Sequence, residues 1–245
     1  MAGHSKWANI KHKKAASDAK RGKIFTKIIR ELTIAARSGS TDPNSNSRLR
    51  SAILKAKESN MPKDTMERAI KKGAGEIGST AFEEFIYEGY GPGGVAIYME
   101  ILTDNKNRTA GDVRSLLAKM GGNLGANGCV DYMFDKKGTI IFDKKDLTEE
   151  KAMDLGIEAG AEDIIIEDKE IEIVTNPEDF ETVLEVFESR NIKHQSAEVT
   201  MIPNIFQEVQ TEMIEKVLQL IDKLEDNDDI QNVYTNLKLP DDYEA

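Results

Sequence analysis

Apolar residues recur at helical spacing through the first third of the chain. Phe25, Ile28, Ile29, Leu32, Ala35 and Ala36 follow i, i+3, i+4, i+7 and predict one helix with a single buried stripe. The polar run SGSTDPNSNS (Ser38 to Ser47) interrupts it with turn-forming residues. Leu49, Ala52, Ile53 and Ala56 then predict a second helix, with Arg48, Arg50, Lys55 and Lys57 on its outside. Pro62 stands where a first-turn proline belongs, ahead of a third helix through Met66, Ala69 and Ile70 that Gly73 and Gly75 end. Three short helices imply a small bundle.

From about Thr80 the period changes. VAIYMEIL (Val95 to Leu102) reads as a largely buried strand. NRTAGDVRSLLAKMGG follows as a helix with Val113, Leu116, Leu117 and Met120 inward and Gly121 at its end. TIIF is a strand, LTEEKAMDLGIEAG a helix, and DIIIE and EIEIVT two strands around Asp168–Lys169. Asn176 is expected to cap the next helix, with Asp179 in the capping-box position and Phe180, Val183, Leu184 and Phe187 buried. AEVTMI closes a β-α-β-β-α-β series, the ferredoxin-like order. The tail adds a helix with Ile214, Val217, Leu218, Ile221 and Leu224 inward, then the strand IQNVYTNL. Neither the tail nor the strand–helix piece at 82–120 is complete alone. The expectation is therefore an α+β chain of three domains: a basic helical domain (1–78), a discontinuous α/β domain (79–135 with 204–245) and an inserted βαββαβ domain (136–203).

Charge sharpens this division. The formal net charge is −11, yet residues 1–75 hold 18 Lys/Arg against 6 Asp/Glu, a balance of +12. The remainder holds 15 against 38, a balance of −23. Such asymmetry points to a polyanion-binding module joined to an acidic body. The bland alternative is that long surface helices simply carry lysines. No apolar run approaches the roughly 20 residues that span a bilayer. The single cysteine, Cys129, and the absence of an apolar leader fit a cytoplasmic, reducing location.

Sites of chemistry are scarce. GYGPGG (Gly89 to Gly94) lies ahead of a strand, and GGNLGANG (Gly121 to Gly128) follows a helix; a dinucleotide fingerprint must follow a strand and open a helix. Neither continues into Gly-Lys-Ser/Thr. Tight turning or close backbone approach is the simpler role for these glycines. His4 and His12 are eight apart, His194 is distant, and no Cys pair or HExxH helix accompanies them, so no metal site is expected. Cys129 has no evident base beside it. No cofactor and no small-molecule substrate is implied, and an enzyme is not expected.

The basic region is the sharper signal. Lys6, Lys11, Lys13, Lys14, Lys20, Arg21, Lys23, Lys27 and Arg30 are candidate phosphate contacts, which release counterions and bind with little sequence information. Trp7 and His12 are candidate stacking partners for exposed bases. Trp7 equally suits pinning the arm to the bundle. Gly3, Ser5, Ala8 and Asn9 suggest a start that orders on binding.

The opening AGHSKWANIKHKKAASDAKRGKIFTK, together with YEGYGPGGVA, LTDNKNRT, GGNLG and the closing DIQNVYTN, resembles the YebC family, also called YebC/PmpR, which includes a mitochondrial translational activator. The likeness spans essentially the whole chain. Departures are slight: Cys129 stands where small residues such as serine are common, and Asn236 where the family often has histidine. The resemblance implies three domains, the first helical and the others α/β, and a non-enzymatic nucleic-acid-binding regulator of gene expression. Members are classed as promoter DNA-binding transcriptional regulators. Others act at the ribosome on stall-prone, proline-rich peptides, which makes ribosomal RNA the alternative partner.

Overall fold

The computed structural model describes residues 18–78, 81–240 and 243, with side chains from residue 22 onward. Helices α1 (Asp18–Ser38), α2 (Ser47–Glu58) and α3 (Lys63–Gly73) form the first unit. Their periodic apolar stripes meet in one core of Ile28, Leu32, Ala35, Ala36, Leu49, Ala52, Ala56, Met61 and Ala69. Asn46 caps α2 by accepting the Leu49 N–H at 3.0 Å. Gly73 is where α3 crosses α1: a Cβ there would lie 2.3 Å from the Thr33 carbonyl oxygen, so only glycine permits the approach.

The chain then builds β1 (Glu83–Tyr90), β2 (Ala96–Thr103), α4 (Lys106–Lys119) and the short β3 (Asn123–Leu124). It leaves this sheet and returns for α7 (Thr211–Glu225) and β8 (Ile230–Thr235). The four strands pair antiparallel in the order β3-β1-β2-β8. One face of β2, with Val95, Ile97, Met99 and Ile101, packs against Val113 and Leu117 of α4 and the whole inner face of α7. The returning chain is fastened by Asn236, whose Oδ1 accepts the Ala96 N–H at 2.8 Å while Nδ2 donates to the Ile205 carbonyl at 3.1 Å. Asn236 thus acts as a backbone clip.

Between the two halves lie β4 (Phe134–Asp143), α5 (Glu149–Ala159), β5 (Asp163–Ile166), β6 (Glu170–Thr175), α6 (Phe180–Ser189) and β7 (Ser196–Pro203). Their sheet runs β5-β6-β4-β7, all antiparallel, which is the ferredoxin-like arrangement of a βαββαβ unit. Ile140, Phe142, Ile171 and Ile173 face Ala152, Val183 and Phe187 of the two helices, with the Phe142 and Phe187 rings 4.8 Å apart. A small aromatic cluster, Tyr98, Phe134 and Tyr234 with Val130 and Met201, joins the two sheets.

GYGPGG is the end of strand β1 (Gly89, Tyr90) and the tight turn Pro92–Gly94 into β2. One local expectation is corrected. Helix α6 starts at Phe180, four residues after Asn176. The Asn176 carbonyl accepts the Asp179 N–H at 3.1 Å and its amide donates to the Asp179 carboxylate at 3.4 Å. Both groups close a turn, so neither caps the helix.

Candidate nucleic-acid interface

Of the cations singled out in the sequence, Lys6, Lys11, Lys13 and Lys14, with Trp7 and His12, lie outside the described residues. Lys20 and Arg21 lie in the first turn of α1, whose side chains are likewise not described. The remaining three, Lys23, Lys27 and Arg30, fall at i, i+4 and i+7 on α1 and share one stripe. That stripe faces the body. Lys23 Nζ lies 2.8 Å from Asp226 Oδ1, and Lys27 Nζ donates to the Glu225 carbonyl at 2.7 Å. Arg30 Nη1 donates to the Asp228 carbonyl at 2.6 Å, the Leu102 carbonyl at 3.2 Å and Asp229 Oδ1 at 2.7 Å, and the guanidinium lies over the Phe82 ring.

Asp229 is the centre of this joint. Its carboxylate, buried to 4% exposure, also accepts from Arg108 Nη2 and Thr109 Oγ1 at 2.8 Å and from Thr103 Oγ1 at 3.1 Å. Burial alone would push its pKa up. The hydrogen bonds from Arg108, Thr109 and Arg30 outweigh it and hold the group at about 2. Hydrogen bonds to Asp229 and Asp104 raise the Arg108 pKa in turn. Sequence reasoning missed this hub because its members stand up to 199 residues apart. The only local trace is the acidic run EDNDD at the end of α7.

Two further cations of the module also reach the body. Arg48 donates to Glu31 within the bundle and from Nη1 to Glu84 of β1 at 3.2 Å. Its pKa is raised, chiefly by the Glu31 hydrogen bond. Arg50 pairs with Glu181 of α6, in the inserted unit. The +12 module and the −23 body therefore hold each other at three places. Lys55, Lys57, Lys63, Arg68 and Lys71, on the outside of α2 and α3, are exposed to solvent.

The two glycine clusters serve one another. A Cβ on Gly89 would lie 2.4 Å from the Asn123 carbonyl oxygen, and one on Gly122 would lie 2.2 Å from that of Tyr90. Beneath them the buried Glu88 carboxylate accepts the N–H groups of Gly128, Val130 and Asp131 at 2.6, 2.8 and 2.8 Å. Burial, then Glu88, pushes the Cys129 thiol up, away from the thiolate that a nucleophile requires. Among the described residues no group of three or more His, Cys, Asp or Glu could hold a metal ion, and no helix is long and apolar enough to cross a membrane.

The architecture defines a class: an α+β protein in which a basic helical module is clamped to a two-sheet acidic body, one sheet unit inserted in the other. The chain belongs to the TACO1/YebC family. The family's N-terminal domain matches residues 5–76, and its second and third domain residues 82–237. It is 53% identical over 244 residues, covering 100% of this chain and 99% of the relative, to a protein of Treponema denticola named "Probable transcriptional regulatory protein". Relatives with the same description from Desulforapulum autotrophicum and Natranaerobius thermophilus are 54% and 55% identical, covering 100% and 98% of each chain. Among solved structures, a conserved hypothetical protein from Aquifex aeolicus superposes with a TM-score of 0.82 at 45% identity, covering 92% of this chain and 93% of that one. These names describe regulation rather than an enzymatic activity.

Proposed function

We propose that this protein is a non-enzymatic, nucleic-acid-binding regulator of gene expression, in keeping with the transcriptional role that its relatives' names carry. The observation behind this reading is the segregation of charge: a +12 N-terminal module on a −23 body. The phosphate contacts are assigned to Lys6, Lys11, Lys13, Lys14, Lys20 and Arg21 of the N-terminal stretch, with Trp7 and His12 stacking on bases. The exposed Lys55, Lys57, Lys63, Arg68 and Lys71 extend that track. The acidic body stays off the polyanion.

A second reading, a ribosomal RNA-binding translation factor, is favoured by one feature. Four of the five exposed cations on α2 and α3 are lysines, which engage phosphates as point charges and lack the planar fork that Arg brings to bidentate recognition. The test is fluorescence anisotropy with a labelled DNA duplex and a ribosomal RNA hairpin, titrated across salt, for the full chain and for Lys11→Gln/Lys13→Gln/Lys14→Gln. Loss of three phosphate contacts lowers the log–log salt slope by about 2.7 on duplex DNA and about 2.1 on single strands. An unchanged slope on both probes overturns the assignment of the N-terminal stretch. Tighter, salt-resistant binding to the hairpin selects the RNA reading over the DNA reading.

A further inference from the structure

Glu225, at the end of α7, and the residues that follow it to Asp229 contact the Lys23–Lys27–Arg30 stripe of α1. We propose that residues 225–229 act as an intramolecular phosphate mimic, competing with the phosphodiester backbone of DNA or RNA for the Lys23–Lys27–Arg30 stripe; this rests on the nucleic-acid-binding reading above. Three observations carry it. The stripe has the geometry of a phosphate track, with one cation per helical turn on a single face. Each of its cations is engaged by a carboxylate or carbonyl oxygen of the same five-residue segment, at 2.6 to 2.8 Å. The contact is graded from inside to outside. Arg30 is locked on the buried Asp229, whereas the Lys23–Asp226 pair is about half exposed on both sides, with 42% and 53% of the side chains accessible.

That grading makes the outer part of the contact exchangeable. Exposed ion pairs are weak and readily traded for another anion. The buried Arg30–Asp229–Arg108 set keeps the module attached while the exchange occurs. The segment thus tunes affinity without detaching the domain, and its outer carboxylate, Asp226, is the tuning group.

The test uses the full chain carrying Asp226→Asn, with labelled duplex and hairpin RNA of matched length as probes. Asp229, which the fold needs, is left intact. Affinity for both probes is expected to rise by about threefold or more at moderate salt. A control chain, Glu150→Gln, loses the same charge from the exposed face of α5 and is expected to change little. A third chain adds Lys23→Gln to the segment variant and is expected to abolish the gain, because the cation released is the one removed. An equal gain in the α5 control, or a gain that survives loss of Lys23, overturns the proposal. A wild-type chain that binds neither probe at low salt overturns instead the reading on which it rests.

Discussion

The joint at Asp229 has a calculable worth. Its pKa falls from the ordinary 3.8 to about 2 in the folded chain. A depression of that size corresponds to about 2 kcal/mol of stability at neutral pH. The sign follows from the direction. Because the folded value lies below the unfolded one, the contribution is complete above about pH 4 and disappears as pH falls through the folded value. About half is gone by pH 3. Asp229→Asn removes the charge but keeps the shape, leaving Arg30 and Arg108 half-buried beside a neutral amide. Removing one partner of a buried pair costs about 3 to 5 kcal/mol, so a loss of about 2 to 4 kcal/mol is expected at pH 7. Urea unfolding of both chains by far-UV circular dichroism, at several values between pH 7 and pH 3, measures the gap. Hydrogen exchange of α1 reports whether the module undocks first. A gap below about 0.5 kcal/mol at pH 7, or one of the same size at pH 7 and pH 3, would refute the reasoning.

Three other perturbations probe the remaining joints. Gly73→Ala drives a methyl toward the Thr33 carbonyl and the Ala36 side chain, and overpacking of this kind costs about 1 to 3 kcal/mol; it should lower the melting temperature of the helical module. An unchanged melting temperature would show that α1 and α3 separate freely. Glu88→Gln weakens three charge-assisted bonds in the glycine-rich segment, and faster amide exchange at Gly128, Val130 and Asp131 is the expected result. Equal exchange in both chains would mean the carboxylate does not order that segment. Glu172, buried in β6, is pushed up to about 8 by burial and then by Glu167, Glu170 and Asp163. Here the folded value exceeds the unfolded one, so stability falls as pH rises from about 4.5 through 8. Glu172→Gln should therefore stabilise the chain at pH 9 and lose that advantage near pH 4, and a stability gap that ignores pH would refute the assignment.

The parts of the fold legible in the sequence are those whose information is local. The stripes of α1, α2, α4, α6 and α7 repeat every turn, and the βαββαβ series alternates its periods along the chain. Strand β1 was harder to see because Glu83–Tyr90 mixes exposed Glu83 and Glu84 with a buried half that ends in glycine. Its identity as a strand depends on pairing with β2 along eight residues and with Asn123–Leu124 beyond. The start of α6 differs from the sequence expectation for a related reason: Asn176 has the right side chain for a cap, but the turn it closes takes its hydrogen bonds first. The candidate site divides in the same way. A count of lysines and arginines locates the basic module, but not which of them meet solvent. Lys23, Lys27 and Arg30 look the same in sequence as the exposed Lys55 and Lys57, and only contacts with the distant segment 225–229 distinguish them.

Counterion release turns that distinction into a measurable number. Counterions leave the nucleic acid only where a cation neutralises a phosphate, so a cation held by the acidic segment contributes nothing to the release. The wild-type salt slope should then count the solvent-facing cations of the module and omit the α1 stripe. Neutralising Asp226 returns Lys23 to solvent, where the phosphate contact it makes adds about 0.9 to the slope on duplex DNA. The variant should thus bind more tightly at low salt and yet lose affinity faster as salt rises, with a slope steeper by up to about 0.9. A simple change in net charge would raise affinity through the long-range field without adding contacts. Steepening of the slope, more than the gain in affinity, is what identifies displacement of the acidic segment from α1.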